Sequence, residues 1–232
     1  PRVLGGKQTA ANGSKGASSS LLSARSPFAS ADGSKALTVS DVQVYAGYVL
    51  HIGTITSGSV AVGDTMTCSV DYTRRNEIAP NHTMTHVLNY ALRKVLLGGP
   101  NEEEEKKGKI SQKGSHVDEN RLRFDFGWDK PVSADQMAEV EKLVNEQIGA
   151  NLEVFDYTAP LDDAMQIHGL RAVFGENYPD PVRVVSVGVD VQELMATPKN
   201  PEWANYSVEF CGGTHVAALG VGEVFVITEE VG

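Results

Sequence analysis

From Met84 to Leu96, apolar residues recur every three or four positions: Met84, Val87, Leu88, Ala91, Leu92, Val95 and Leu96. That spacing predicts an amphipathic helix with one buried stripe. Asn81 is placed to cap its start, Arg93 and Lys94 suit the negative end of its dipole, and Gly98-Gly99-Pro100 stops it. A second helix starts at Ser133, which with Gln136 has the spacing of a capping box. Val132 and Met137 are set for a hydrophobic staple, and Gly149 marks the end. Its predicted buried face is Met137, Val140, Leu143, Val144 and Ile148.

Elsewhere the pattern shortens to alternation. Val39, Val42 and Val44, then Tyr48, Leu50 and Ile52, then Met66, Cys68 and Val70 read as short strands, with Gly53, Gly58 and Gly63-Asp64 as turns. Cys68 is expected to be a small buried hydrophobe. Several short strands with turns between them predict a small N-terminal β-barrel. Leu122, Phe124 and Phe126 alternate with Arg121, Arg123 and Asp125 as a half-buried strand. Further strands are expected over 152–157, 182–189, 207–211 and 223–228, with a short helix around 162–167. The fold class is α+β, with helices against a mainly antiparallel sheet. The boundary falls near Asp71 to Arg75, giving a barrel over 1–75 and a core over 76–232. Residues 5–36 are rich in Gly, Ser, Ala and Asn with little periodicity, which predicts a mobile loop.

A chain of 232 residues suffices for one large domain or two small ones. No apolar run is long enough to span a bilayer and no signal-peptide pattern opens the chain, so the expected protein is soluble and cytoplasmic, an organellar pool staying open. Two cysteines argue against a disulfide framework. A net charge of −10 counts against polyanion binding over the whole surface. Any RNA contact must then be local, and Arg74, Arg75, Arg93, Lys94, Lys113, Arg121 and Arg123 form a basic set suited to it. The run Glu102 to Lys107 reads as a solvated excursion.

Two compact pairs carry the candidate chemistry. His82 and His86 lie four apart in the first predicted helix, so both imidazoles face one point. Cys211 and His215 bracket two glycines, which let the backbone turn a thiolate and an imidazole toward one ion. Together they make a tetrahedral Zn²⁺ set, one ion per chain. His51, His116 and His168 read as ordinary core or surface histidines.

Asn-His-Thr-x-Thr-His at 81–86, Gln-Lys-Gly-Ser at 112–115, Arg-Leu-Arg-Phe-Asp-Phe at 121–126 and Glu-Phe-Cys-Gly-Gly-Thr-His at 209–215 together resemble the editing domain of alanyl-tRNA synthetases and related trans-editing proteins. The resemblance runs from about residue 37 to the C-terminus. It implies an elongation-factor-like barrel before the core, and an esterase that removes serine, or glycine, from alanine-specific tRNA. It also implies pocket roles for Thr85 and Gln112, which the residues alone would make a helix hydroxyl bonded to a preceding carbonyl and a surface amide. The family carries Gly-Gly-Gln near the pocket. Here Gly5-Gly6-Lys7-Gln8 stands instead, and whether Gln8 takes that place is open.

Whether the zinc is structural or activates water is also open. A zinc-stabilised tRNA-binding module without catalysis would need the same ligands but neither Thr85 nor Gln112. No aminoacylation motif is visible. The chain is expected to be a synthetase fragment, ATP-dependent chemistry belonging to the remainder, with a free-standing editing protein as the alternative.

Overall fold

The computed structural model describes residues 2–9, 27–45, 48–99, 108–172 and 177–232. The charged run Glu102 to Lys107 lies outside them. The chain divides into two compact units, Asn12–Asn76 and a larger one made of Pro1–Ala11 with Glu77–Gly232.

The strands are β1 (Arg2–Thr9), β2 (Pro27–Ala29), β3 (Ala36–Tyr45), β4 (Tyr48–Ser57), β5 (Thr67–Cys68), β6 (Gln112–Val117), β7 (Leu122–Phe126), β8 (Val154–Ala159), β9 (Val182–Val187), β10 (Ser207–Phe210) and β11 (Val224–Val231). The helices among the described residues are α1 (Tyr72–Leu96), α2 (Ala134–Gly149), α3 (Leu161–Ala164) and α4 (Val191–Ala196). The pairings between these strands are antiparallel, with one isolated parallel bridge from Arg171 to Glu209, so the α+β class holds.

In the smaller unit the sheet order is β4-β3-β2-β5. Among the described residues no pairing joins β4 to β5, so the closed barrel that alternation predicted is not shown. Every residue of β4 is exposed. Cys68 is exposed too, against expectation, in the two-residue strand β5 at the end of the sheet order. Gly53 is not a turn. It lies within β4 opposite Val39, beside a register shift, where a Cβ would collide with the Thr38 carbonyl. Gly58 and Gly63 do turn the chain, with φ of +63° and +95°.

The larger unit holds two sheets, β11-β1-β7-β6 and β10-β9-β8. Residues 5–9, read as the start of a mobile loop, are strand: β1 runs between β7 and β11, with Gly5 opposite Arg123 and Glu229, and Gln8 opposite Phe225. Pairing with strands more than a hundred residues away overrides the weak local pattern. Residues 10–26 of that expected loop lie outside the described residues, and 27–29 form β2.

Helix α1 starts well before Asn81. The Asp71 carboxylate accepts the Arg74 N–H at 3.1 Å, a capping contact, and the helix continues through Pro80. Asn81 is instead an interior residue whose amide donates to the Asp118 carbonyl at 2.9 Å. The predicted stripe is correct: Met84, Val87, Leu88, Ala91 and Leu92 are fully buried, packed with Phe124, Phe126, Val140, Val144 and Phe225. Both halves of the Ser133–Gln136 capping box are present in α2. That helix runs through Gly149, and the left-handed residue after it is Asn151, with φ of +48°. A second core gathers Val182, Val184, Leu194, Trp203, Val208 and Phe210.

Candidate metal centre and its cleft

Helix α1 presents His82 and His86 one turn apart, and the loop after β10 presents Cys211 and His215. One candidate ligand atom from each of the four lies within 4.8 Å of all the others. Cys211 Sγ is 3.5 Å from His82 Nε2 and 3.3 Å from His215 Nε2. Tetrahedral zinc bonds would set nitrogen–sulfur edges of about 3.5 Å, so the donor set fits that ion.

The surroundings fix which nitrogen each ring offers. Thr83 Oγ1 donates to the Ala79 carbonyl at 3.0 Å and accepts the Val216 N–H at 3.1 Å. Having spent its one proton, it can only accept from His215 Nδ1, 3.2 Å away. His215 therefore carries its proton on Nδ1 and turns the Nε2 lone pair toward Cys211. The loop itself is tight for a steric reason: a Cβ on Gly213 would fall inside the His82 ring. Gly213 also donates its N–H to Cys211 Sγ at 3.4 Å, a contact that favours thiolate. Arg183 spans the same loop, donating to the Gly213 carbonyl at 2.5 Å and the Cys211 carbonyl at 3.4 Å while its Nε binds Asp156 at 2.9 Å.

Burial dominates the electrostatics. It lowers the pKa of His86 to about 3, helped by the nearby His82 and Arg183, and that of His215 to about 2, helped by His86, His82 and Arg183. His82 is lowered chiefly by burial, with a bond to the Thr214 backbone pulling the other way. Burial raises the Cys211 thiol, and raises Glu209 to about 7 against the pull of Arg93, Asn89 and Arg171. Three neutral imidazoles and a thiol awaiting a positive charge suit metal binding, which would displace the thiol proton.

His82, His86 and Cys211 face a cleft of about 1120 Å³ in the larger unit. Thr85 and Gln112 are both on its wall. Thr85 Oγ1 donates to the His82 carbonyl at 2.7 Å, and Gln112 Nε2 donates to Ser115 Oγ at 3.1 Å. Of the basic set, Lys113 lines the same cleft and is exposed, as are Arg121 and Arg123 on the neighbouring strand region. Arg74 and Arg75 lie in the first turn of α1. Lys94 binds Asn205 at 2.9 Å, whereas Arg93 is 3% exposed and its charge falls on Glu209. His51 packs edge-on against Phe28 and His116 pairs with Asp118, but His168 is a cleft residue.

Residue pattern alone missed Thr83, Asn89, Arg183 and Glu209. Two of them left a signal. Asn89 continues the His82–His86 face of the helix, seven residues on from His82, and Glu209 stands two before Cys211 on a strand, hence on the same side. Arg183 left none.

No family model matches the chain. It is 49% identical over 201 residues to the cytoplasmic alanine–tRNA ligase of Dictyostelium discoideum, covering 86% of the chain and 20% of that relative. Against the mitochondrial alanine–tRNA ligase of Saccharomyces cerevisiae it is 49% identical over 201 residues, 87% of the chain and 19% of the relative. The cytoplasmic alanine–tRNA ligase of Caenorhabditis elegans is 40% identical over 200 residues, 86% and 19%. The chain spans about a fifth of the length of the curated relatives it matches. Its match lies along most of its own length, and over those residues the chain is homologous to alanine–tRNA ligases.

Proposed function

We propose that this segment hydrolyses the ester joining serine, or glycine, to alanine-specific tRNA, with one zinc ion held by His82, His86, Cys211 and His215. The observation that carries the reading is that the four-residue cluster opens into a cleft whose walls also bear Thr85 and Gln112. In the hydrolysis, the oxygen of water bonds to the ester carbon and the bond to the ribose oxygen breaks. The ribose oxygen leaves as a hydroxyl with one proton of the water, and the amino acid leaves as its acid. When bound by these four residues, zinc would supply a fixed positive charge beside the cleft.

The remaining work belongs to this chain's own side chains. Thr85 has given its only proton to the His82 carbonyl, so its oxygen can offer the cleft only a lone pair. A serine hydroxyl can donate to that lone pair, and alanine's methyl cannot, which leaves the polar group unpaired with the correct amino acid. Gln112 offers a carbonyl and an amide to orient the ester or the water. Exposed Lys113, on the cleft wall, offers a positive charge to the tRNA phosphates.

The test is release of amino acid from alanine-specific tRNA charged with serine or with alanine, by zinc-loaded protein. Serine should leave faster. Thr85→Val keeps the branched shape but loses the oxygen, so it should erode the preference by roughly tenfold, one hydrogen bond's worth. Protein that binds tRNA yet leaves both esters intact at high concentration would instead be a binding module.

A further inference from the structure

Each imidazole of the cluster needs a partner on the nitrogen that does not face the ion, because that partner fixes its tautomer and aim. His215 has Thr83 Oγ1 and His82 has the Thr214 backbone. His86 Nδ1 is buried and makes no hydrogen bond among the described residues. The polar atom facing it is Glu209 Oε2, 3.7 Å away.

Glu209 is held there by its neighbours. Its other oxygen, Oε1, accepts the Asn89 amide at 2.8 Å, and Asn89 lies less than one helical turn beyond His86 on α1. Two residues earlier on the same face of β10, Ser207 Oγ donates to the His86 carbonyl at 3.2 Å. Two residues later on that face stands Cys211. Alternate residues of β10 thus hold the main chain of His86 and face its ring, and the next position in that alternation, just past the strand, supplies a ligand beside it. Val208 and Phe210 point the opposite way, into the second core.

We infer that Glu209, fixed by Asn89, is the positioning residue that orients His86 and presents its Nε2 to the metal. This rests on the metal reading above. Closing the 3.7 Å gap to hydrogen-bond length needs only a small side-chain shift, and the carboxylate then accepts the Nδ1 proton and leaves the Nε2 lone pair for the ion. A carboxylate so placed also increases the basicity of the ligand.

The experiment measures zinc affinity by competition with a chelator, together with the visible spectrum of the cobalt-substituted protein and the melting of the metal-free form. It uses wild type, Glu209→Gln and Asn89→Ala. Glu209→Gln keeps size and keeps an oxygen for Asn89, so its metal-free form should melt no lower than wild type. Its zinc affinity should fall about 10- to 100-fold with a displaced cobalt ligand-field band, and Asn89→Ala should give a smaller loss of the same kind. Zinc affinity within twofold of wild type in Glu209→Gln would overturn the inference and leave the metal site standing. A loss of affinity matched by lower metal-free melting would overturn it as well, assigning Glu209 to the fold alone. Wild-type protein that takes up no zinc would fail the metal reading itself.

Discussion

Thr83 Oγ1 and His215 Nδ1 lie 3.2 Å apart across 132 residues of sequence, and this contact decides which nitrogen His215 turns toward Cys211. The same hydroxyl accepts the Val216 N–H, so one side chain on α1 sets both the ring and the backbone of the ligand loop. Thr83→Val is expected to leave the helix intact, strand the Val216 N–H, and weaken zinc binding by tenfold or more. Chelator competition reads the affinity and circular dichroism the helix. Unchanged affinity would show that His215 keeps its aim without the hydroxyl.

Removing the ligands tests the cluster directly. Purified wild-type protein is expected to carry zinc at one per chain, and His86→Ala with Cys211→Ala together should abolish it. Near-stoichiometric zinc in that double variant, measured by elemental analysis, would place the metal elsewhere.

Gly213→Ala adds a single methyl group, yet that methyl meets the His82 ring. Either the ring or the loop must move, and both carry ligands. Zinc affinity should fall by well over tenfold, with a stability loss of about 1–3 kcal/mol. Gly212→Ala, where a Cβ meets nothing nearby, is the control and should be far milder.

Acid should destabilise the metal-free protein. His86 and His215, lowered from 6.5 to about 3 and about 2, refuse protons that the unfolded chain accepts. Their contribution to stability is therefore complete above pH 6.5 and is lost as pH falls through about 3 and about 2. Glu209, raised from 4.5 to about 7, works in the opposite sense: folded protein holds a proton that unfolded chain releases, so stability falls as pH rises from 4.5 through 7. The two trends oppose one another between pH 4.5 and 6.5. Melting temperature against pH in excess chelator should consequently drop more steeply on acidification in Glu209→Gln than in wild type. Equal slopes would mean that Glu209 does not titrate in this range.

If tRNA phosphates are met by Lys113, Arg121 and Arg123, replacing all three with alanine should weaken binding alike for every tRNA. The slope of log affinity against log salt should become shallower by about 0.7–0.9 per contact removed. An unchanged slope would clear these residues of phosphate contact, and Arg74 with Arg75 would be replaced next.

What could be read before folding was whatever is local. The apolar stripe of α1 and the four-residue spacing of His82 and His86 depend only on helix periodicity, and Ser133 with Gln136 is a contact three residues long. The start of α1 is not legible locally, because Asn81 has the side chain of a cap, while the capping contact is made by Asp71, ten residues earlier. Strand β1 was invisible because its reason for existing is the pair of strand edges on β7 and β11. Glu209 was read only as part of a motif, since what a carboxylate does depends on which ring it faces.

The alternation of β10 ties two selective pressures to one short strand. Its odd-numbered residues serve the ligand cluster and its even-numbered residues, Val208 and Phe210, fill the second core. Insertion or deletion of a single residue there would exchange the two faces, so this stretch should accept substitutions but no change of length. Substitutions at Val208, made to adjust packing on the face opposite Glu209, would still tilt Glu209 and Cys211. Mutational tolerance of the chemistry is in this way limited by a hydrophobic core that shares Val182 and Phe210 with the cleft wall.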